Sequence, residues 1–467
     1  CAPDAVFYGG TDPGRFVPTY MIFGESRQNP RWKMDQLVEP KRKEFERSDL
    51  YIITQNALAD ETYMNYIRDH YGYPRPKNDG FFERLLGRDK IYPKKPIWIP
   101  ERQDGEAAFK AYVEQYKRDP ANTPGVRISP DGRVQIVGIE GVFAINGILA
   151  HMIWEKNKDT HEFYVEESFP LNWMYPYLEP FGLCMRINKE PLADISPEVI
   201  RKDRDYWDRY TDRLLGDPKF QRDEVAKKAF SKLRVSIAGV YYWRAINPGT
   251  SPDKRTLYFK EADHAFRQSL ELCPFSTESA FRYCEMLIRL ERFRDALQVL
   301  QDLKKEDPHN DKIDDYIVNV QRQADLQRAQ VIHEDLVRRE PTNFTARLQL
   351  LNIYFNRGPS HFEALDKTAF GMIKTPETPP QVLYQLAQMY LNLKRFDRAH
   401  EALYAMSRKE PNNAEVWYNI AVLHCMRGEG PKAIKALETA VKAGGDPIKQ
   451  RARQDPNFSG IRAEMKF

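Results

Sequence analysis

The residues best suited to chemistry lie in four short polar loops of the amino-terminal half, each directly after an apolar run. A glycine-rich loop that opens a helix can offer free backbone N–H groups to an anion, and a nearby arginine adds positive charge. Carboxylates in neighbouring loops could act as an acid–base pair, but spacing along the chain does not determine their distance, so no catalytic residue is predicted. The candidate ligand-binding residues are Gly10, Thr11, Asp12, Arg15, Asn56, Asp60, Glu101 and Glu166.

The same loops also have an ordinary structural explanation. Gly-Gly and Pro-Gly are common in tight turns, and Asp12, Asn56 and Asp60 are natural caps for the helices that follow. The first loop has neither the Gly-Lys-Ser/Thr of a P-loop nor the Gly-x-Gly-x-x-Gly dinucleotide pattern. Helix capping, ligand binding and catalysis therefore all stay open at this point.

Short apolar runs precede the loops, and they predict strands at residues 5–8, 50–54, 97–99 and 163–165. Amphipathic stretches between them predict helices at residues 18–25, 61–70, 105–117 and 142–157. This alternation indicates an α/β domain with a mostly parallel sheet and helices on both faces. Because the carboxyl ends of parallel strands meet at one edge, the four loops are expected to converge there.

Two segments depart from this alternation. Residues 126–136 carry Pro-Asp-Gly between alternating apolar residues, which predicts a hairpin. Residues 169–183 are rich in aromatic residues and proline. They could line a sugar or lipid site, face a membrane surface, or pack against the helices that follow.

Composition excludes several classes of protein. The 467 residues are 42% hydrophobic, which is enough apolar surface for real cores. The net charge of +4 is spread without runs of like charge, so no nucleic-acid partner is expected. Five cysteines are too few, and odd in number, for a disulfide scaffold, and no metal-ligand spacing occurs. We expect no metal ion and no cofactor.

The carboxy-terminal half repeats with a period close to 34 residues. Prolines recur after charged helix ends, at positions Pro274, Pro308, Pro341, Pro376, Pro411 and Pro447. Small residues precede the first five by twelve positions, at Ala262, Ala296, Ala329, Ala364 and Ala399. This spacing predicts helical pairs in which alanine permits close approach and proline ends the second helix. It resembles the tetratricopeptide repeat over residues 240–446, in about six units, with the best match in the last two.

Stacked helical pairs form a concave groove that usually binds protein. Repeat geometry places Gln381, Tyr384 and Gln388 on its inner face, followed by Glu415 and Tyr418 in the next unit. The repeated Lys, Arg and Asn needed to grip a terminal carboxylate are absent, so capture of a chaperone tail is disfavoured. We predict a protein partner in this groove, and an array that serves only as a packing module is the alternative.

The order of segments 6–16, 49–58 and 162–165, with Tyr177-Leu178 and Gly182-Leu183, resembles the soluble region of one bacterial family. Its members are multi-spanning membrane proteins similar to transmembrane protein O-mannosyltransferases, and their soluble region often ends in tetratricopeptide repeats. The resemblance implies an accessory domain that binds or positions acceptor proteins for glycosyl transfer. The membrane domain that would carry the family's catalytic residues is not in this chain, so none can be assigned.

The chain begins at Cys1, which predicts either a lipid-anchored amino terminus or the cut point of a longer protein. The most apolar helical stretch, residues 142–154, is too short for a membrane span and contains Asn146 and His151. Membrane association is therefore expected through Cys1 or through a preceding membrane region.

Together these observations predict four parts: an α/β domain at 1–190, a helical linker at 191–239, the repeat array at 240–446 and a tail at 447–467. The expected function is a membrane-associated protein-binding scaffold at the periplasmic or extracytoplasmic face of a bacterial membrane, presenting acceptor proteins to a glycosyltransferase. Two alternatives stay open. The α/β domain could itself bind a sugar or nucleotide as a transferase, or the chain could be a structural lipoprotein subunit of a membrane complex.

Overall fold

The structure is a computed structural model that describes residues 1–9, 22, 26, 47, 49–72, 95–129, 131–166 and 170–465. It divides into two compact units, Cys1–Ile317 and Val318–Phe467, and each is described by itself. The first unit contains the sheet and the helices that follow it. The second contains helical hairpins.

The strands of the first unit are β1 (Val6–Gly9), β2 (Tyr51–Thr54), β3 (Val126–Ile128), β4 (Val134–Ile136), β5 (Phe163–Glu166), β6 (Leu178–Phe181) and β7 (Cys184–Ile187). Five of them form one sheet in the order β2-β1-β5-β7-β6. Strands β2, β1 and β5 are parallel neighbours, and every residue of these three strands is buried. Continuous apolar sequence suits strands that are covered on both faces.

The other half of the sheet is antiparallel, so the sheet is mixed rather than mostly parallel. The cause is a tight connection between β6 and β7, in which Gly182 has a φ of 60°. So short a connection can join only antiparallel strands. The separate pair β3 and β4 is also antiparallel, which confirms the predicted hairpin.

The first helices of this unit are α1 (Glu61–Tyr71), α2 (Arg102–Arg118) and α3 (Gly138–Asn157). Helix α3 packs on the sheet, where the Tyr8 hydroxyl donates to the carbonyl of Ala150 at 2.8 Å. All three lie at or close to predicted helices. The helix predicted at 18–25 lies largely outside the described residues.

The strand predicted at residues 97–99 is wrong. The backbone N–H and C=O of Trp98 are bound at 2.8 Å by the side-chain amide of Asn157, which lies at the end of α3. A side-chain amide offers one donor and one acceptor, as a neighbouring strand would. The segment is therefore extended and hydrogen-bonded without belonging to the sheet.

After the sheet come α4 (Pro197–Leu215), α5 (Pro218–Arg222), α6 (Glu224–Ile246) and α7 (Pro252–Leu272). Helix α6 continues through residue 240, where the sequence predicts the border between linker and array. Its last turn contacts the aromatic stretch, because Tyr175 and Trp243 stack with ring centroids 5.6 Å apart. Arg244 donates to the carbonyls of Leu192 and Pro176 at 2.7 and 2.9 Å. The described part of that stretch therefore packs against a helix, the last of the three predicted explanations.

A buried polar cluster joins α4, α6 and α7. Arg234 Nη1 lies 3.0 Å from Asp203 Oδ2, with the two side chains only 1% and 2% exposed. Arg234 Nε also donates to Gln268 at 2.8 Å, and the Tyr241 hydroxyl donates to Asp203 at 3.1 Å. A buried ion pair is tolerable only when such additional hydrogen bonds satisfy its remaining polar atoms. The cluster thus determines how the three helices meet.

Helices α8 (Thr277–Arg289) and α9 (Phe293–Glu306) form the next hairpin. The repeat then predicts another helical pair before Pro341, but α10 (Asp311–Arg339) is a single helix of 29 residues. This stretch contains neither glycine nor proline, so nothing in it favours a turn. The helical pair predicted around Ala329 is therefore wrong.

The second unit continues with α11 (Phe344–Arg357), α12 (Phe362–Lys374), α13 (Pro380–Asn392), α14 (Phe396–Lys409), α15 (Ala414–Met426), α16 (Gly430–Gly444) and α17 (Asp446–Gln454). The first six form three hairpins around one contiguous apolar core. The predicted small residues Ala399 and Ala433 are fully buried in it. These two small residues therefore lie in the core, where the repeat pattern places them.

Three hairpins of the chain turn in the same way. The backbone N–H groups of Arg292, Arg395 and Glu429 each donate to the carbonyl five residues earlier, at 2.8 Å. The residue before each donor has a positive φ: Glu291 at 57°, Lys394 at 56° and Gly428 at 71°. This left-handed residue closes the first helix of a hairpin in the manner of a Schellman cap.

Candidate functional site

The carboxyl ends of β1, β2 and β5 meet at one edge of the sheet, as expected for parallel strands. Gly9 is paired with Thr54 on one side and with Glu166 on the other. Three of the four predicted loops therefore start from this edge. The loop that carries Glu101 does not, since residues 97–99 are outside the sheet.

Four of the candidate ligand-binding residues, Gly10, Thr11, Asp12 and Arg15, lie outside the described residues. The anion-binding interpretation of this glycine-rich loop stays a prediction.

Two of the remaining candidates are helix caps. Asp60 accepts the backbone N–H of Tyr63 at 2.8 Å, at the start of α1. Glu101 begins α2 in a capping box, where its own backbone N–H donates to the Asp104 carboxylate at 2.9 Å. A carboxylate that accepts backbone N–H groups stabilises the helix start. This is the structural alternative considered above for Asp60, and the structure extends it to Glu101.

Asn56 lies in a one-turn helix directly after β2. Side-chain hydrogen bonds of the buried Asn146 of α3 hold this turn in place. The Asn146 side chain donates to the Asn56 carbonyl at 3.1 Å and accepts the backbone N–H of Ala59 at 2.7 Å. The sequence does contain a signal for Asn146, since it is a polar residue inside a predominantly apolar helix. Asn146 was not among the candidates, yet it holds the loop that carries Asn56 and Asp60.

Glu166, the last residue of β5, is a buried carboxylate with only 4% of its surface exposed. It marks the same edge as the Asn56 loop, but no described contact brings Asn56, Asp60 and Glu166 into one cluster. In the described residues, no group of three or more His, Cys, Asp or Glu side chains is arranged to hold a metal ion. No helix in that part of the chain combines the length and apolar character needed to cross a membrane.

The second candidate site is the accessible face of α13, which carries Gln381, Tyr384 and Gln388, the residues predicted to line the groove. On the opposite face of this helix Leu383, Leu386 and other apolar side chains enter the core. Tyr384 is 39% exposed, a large fraction for an aromatic side chain. The three predicted groove residues therefore lie together on an accessible face.

The equivalent face of α15 is covered by the chain itself. Tyr418 is only 1% exposed. Its ring packs edge-on against Phe458, and its hydroxyl donates to Asp455 at 2.7 Å. Burial and the nearby Asp455 carboxylate raise the pKa of Tyr418 above its ordinary value. The predicted groove residue Tyr418 is thus a core residue.

Glu415 is bound by the same covering segment. Arg451, on α17, donates to both carboxylate oxygens of Glu415 at 2.8 Å, and its guanidinium lies 4.2 Å from the ring centroid of Tyr418. Residues 447–465, predicted as a tail, therefore fold onto α15 as a helix followed by a 3₁₀ turn. The accessible part of the predicted groove is therefore reduced to the face of α13 that carries Gln381, Tyr384 and Gln388.

Cys1, the candidate lipid anchor, is an exposed free thiol, and the other four cysteines are unpaired as well. An exposed thiol is accessible to modification, and lipid attachment at Cys1 stays a prediction.

A match to a family model supports the repeat interpretation for part of the second unit. Residues 390–455 match the model of the tetratricopeptide repeat. No curated protein matches the chain. Among solved structures, YrrB, described as a TPR protein with an unusual peptide-binding site, is 13% identical. That alignment covers 52% of this chain and 98% of YrrB, with a TM-score of 0.21. A structure of MamA is 15% identical and covers 42% of this chain and 95% of its own, with a TM-score of 0.15.

Proposed function

We propose that this protein is a scaffold that binds a partner protein along the accessible face of α13, through Gln381, Tyr384 and Gln388. The observation that carries the proposal is that Tyr384 is exposed on a helix whose opposite face is locked into a continuous core. Tyrosine in such a position offers apolar area and a hydroxyl at a low entropic cost of binding. The match of residues 390–455 to the tetratricopeptide repeat supports the same function.

The amino-terminal sheet supports a catalytic role less well. Asp60 and Glu101 act as helix caps, and the described residues bring no carboxylate pair together at the sheet edge. A sugar-binding or nucleotide-binding α/β domain would need Glu166 and the loop after β1 to supply its chemistry. The proposal therefore assigns partner binding to the hairpins and gives the α/β domain no reaction.

The finer part of the proposal concerns location. The resemblance of residues 6–16, 49–58 and 162–165 to the soluble region of membrane glycosyltransferase-like proteins supports a scaffold at the extracytoplasmic face of a bacterial membrane. There it would present acceptor proteins to a glycosyltransferase. Mass spectrometry of the amino-terminal peptide distinguishes this proposal from the lipoprotein alternative. An acylated Cys1 would favour a structural lipoprotein subunit of a membrane complex.

Photo-crosslinking tests partner binding directly. A photoreactive phenylalanine analogue placed at position 384 of the full chain is expected to capture a partner in cells of the source organism. The matched control places it at the exposed Glu438 of α16, on the second helix of a hairpin. Capture at 384 should be lost when Gln381 and Gln388 are both changed to alanine. Equal capture from 384 and 438, or capture that survives the alanine changes, would contradict the proposed site.

A further inference from the structure

A cleft lies between the second helices of two successive hairpins in the first unit. These hairpins are α6 with α7 and α8 with α9. The cleft has a volume of about 530 Å³, which is within the usual range of ligand-binding cavities. Its walls come from α7 and α9, and Tyr283 of α8 also lines it. We call it the α7–α9 cleft; it belongs to the first unit, whereas the proposed face of α13 belongs to the second.

The floor of the α7–α9 cleft is apolar. Tyr283 and Leu303 are almost completely buried, each with 1% of its surface exposed. Leu270 and Val299 are half-buried, and they pack against the core cluster that contains Leu303. Because these two side chains also line the cleft, the rest of their apolar surface is available to an aliphatic chain.

The rim of the cleft is charged, with an excess of carboxylates. It carries Glu271, Asp295, Asp302 and Glu306 against Arg267 and Lys305, a net charge of −2 in a chain whose total is +4. Four of these six groups already have partners: Asp302 and Lys305 lie 2.6 Å apart, Asp295 and Arg292 2.7 Å, and Arg267 and Asp263 2.8 Å. The carboxylates of Glu271 and Glu306 make no hydrogen bond or ion pair within the part of the chain that the structure describes.

These two carboxylates also lie at helix ends that disfavour a negative charge. Glu271 is in the last turn of α7, which has no basic residue, and Glu306 is the last residue of α9. The carboxyl end of a helix carries partial negative charge, so a carboxylate there is destabilising and a cation is stabilising. The two lysines in the last turn of α9 already bind other carboxylates at 2.6 Å, Lys304 with Asp314 and Lys305 with Asp302. The rim therefore has room for a cation that a ligand would supply.

We propose that the α7–α9 cleft binds a basic segment of a partner protein, independently of the face of α13. Lysine and arginine lay their methylene stems along apolar surface and keep their charged heads at a polar rim. The stem of such a side chain would contact Leu270 and Val299 on the floor. Its cationic head would compensate the carboxylates of Glu271 and Glu306 and the negative ends of their helices.

A protein segment fits better than a small organic cation, because a second cavity adjoins the first at Glu306. This cavity has a volume of about 710 Å³ and is also lined by Glu306. Its other charged residues are the acidic Glu224, Glu278 and Asp307 and the basic Lys228 and Lys232. Both cavities therefore have an excess of carboxylates, and an extended segment could place successive basic side chains in them.

The experiment selects peptides from a displayed library of random dodecapeptides, with the purified full-length chain as bait. The variant Glu271→Gln with Glu306→Gln serves for counter-selection, which removes peptides that bind elsewhere. We expect the surviving peptides to be enriched in Lys and Arg relative to the starting library. A synthetic copy should bind this double variant about fivefold to tenfold more weakly than the wild type, as expected for the loss of two partly exposed ion pairs. Salt should weaken its binding to the wild type, because exposed charges are screened.

Two controls separate the cleft from a general effect of charge. Glu363→Gln with Glu438→Gln makes the same change in net charge at two exposed carboxylates of the second unit, and should leave the affinity unchanged. A peptide with citrulline in place of arginine keeps its shape without the charge, and should bind the wild type as weakly as the original peptide binds the double variant.

Thermal melts provide a readout that needs no partner. Since Glu271 and Glu306 are exposed at helix ends that disfavour them, the double variant should melt at the same temperature as the wild type or higher. A lower melting temperature would show that the two carboxylates stabilise the fold, and would contradict a role in binding.

The other outcomes of the selection are equally decisive. No surviving peptide, survivors without basic residues, or equal weakening by the control pair would overturn the proposal. Spermidine that binds the wild type more tightly than every selected peptide would replace the protein segment by a small organic cation. None of these results affects capture by the photoreactive residue at position 384, which tests α13 separately.

Discussion

The helices beside the sheet and the hairpins of the second unit are held together by different interactions. Where α4, α6 and α7 meet, an ion pair, a glutamine and a tyrosine are buried together around Arg234. In the second unit the hairpins share one large apolar core that includes many buried alanines. A buried polar cluster is satisfied in a single geometry, whereas apolar contacts tolerate adjustment. We therefore expect the helix packing to be more uniquely specified in the first region than in the second.

The strongest test of this contrast removes Arg234. Arg234→Ala leaves the Asp203 carboxylate buried without its cation, and should lower the free energy of unfolding by about 3–5 kcal/mol. Urea denaturation followed by circular dichroism measures the loss. The paired variant Asp203→Leu with Arg234→Met should recover most of it, because no charge is then stranded. A loss below 1 kcal/mol for Arg234→Ala would contradict a specifying role.

In the hairpins, truncation of a fully buried leucine is the corresponding test. Leu386→Ala in α13 should lower the free energy of unfolding by about 2–4 kcal/mol, through lost apolar burial and the cavity left behind. Hydrogen exchange should show the loosening in residues 344–444 and leave α6 protected. Loosening that spreads equally through both regions would argue that the two are not independent in stability.

The pH dependence of the first region offers a smaller effect. Burial would raise the pKa of Asp263, but hydrogen bonds from Arg267, Tyr283 and Arg292 outweigh it and hold the pKa below the ordinary value. The stabilisation is therefore present above about pH 4 and is lost as the pH falls through the lowered pKa of the folded state.

Asp263→Asn should cost about 2 kcal/mol at neutral pH, since it weakens the hydrogen bonds to two guanidinium groups. Urea midpoints measured from pH 7 to pH 2 should show the wild-type advantage disappearing in acid. An advantage that persists at pH 2 would mean that Asp263 acts by packing instead.

The smallest effect separates the covered face of α15 from the open face of α13. Tyr418→Phe removes the hydrogen bond to Asp455 and should cost about 1 kcal/mol. Tyr384→Phe removes an exposed hydroxyl and should change stability by less than 0.5 kcal/mol, within the range of ordinary surface substitutions. Thermal melts of the two variants measure the difference, and equal losses would imply that both faces are covered.

The sequence was sufficient for features that depend on local pattern. Buried apolar runs predict β1, β2 and β5, and the 34-residue period predicts α11 to α16 with Ala399 and Ala433 at the helix contacts. The continuous α10 was also visible in principle, as a long stretch without glycine or proline. The strand predicted at residues 97–99 failed because an apolar run does not reveal that Asn157 occupies its hydrogen bonds.

The candidate sites were predictable only in part, for a related reason. Spacing places Tyr384 and Tyr418 at equivalent positions of successive repeats, yet their environments differ completely. The difference comes from Phe458 and Asp455, which reach Tyr418 from the folded carboxy-terminal segment. In the same way, Asn146 organises the loop after β2 from a distant helix. Such partners lie far away along the chain, so a local sequence pattern cannot predict them.

The shared turn of the hairpins has a consequence for protein engineering. Two of its three left-handed positions are occupied by Glu291 and Lys394 rather than by glycine, although Gly428 makes the same turn. A side chain in this conformation costs roughly 1 kcal/mol relative to glycine. Replacing these two residues by glycine is therefore a route to a more heat-resistant protein, and Lys394→Gly would act on the turn that closes α13. The turns are therefore positions at which stability could be raised without repacking the core.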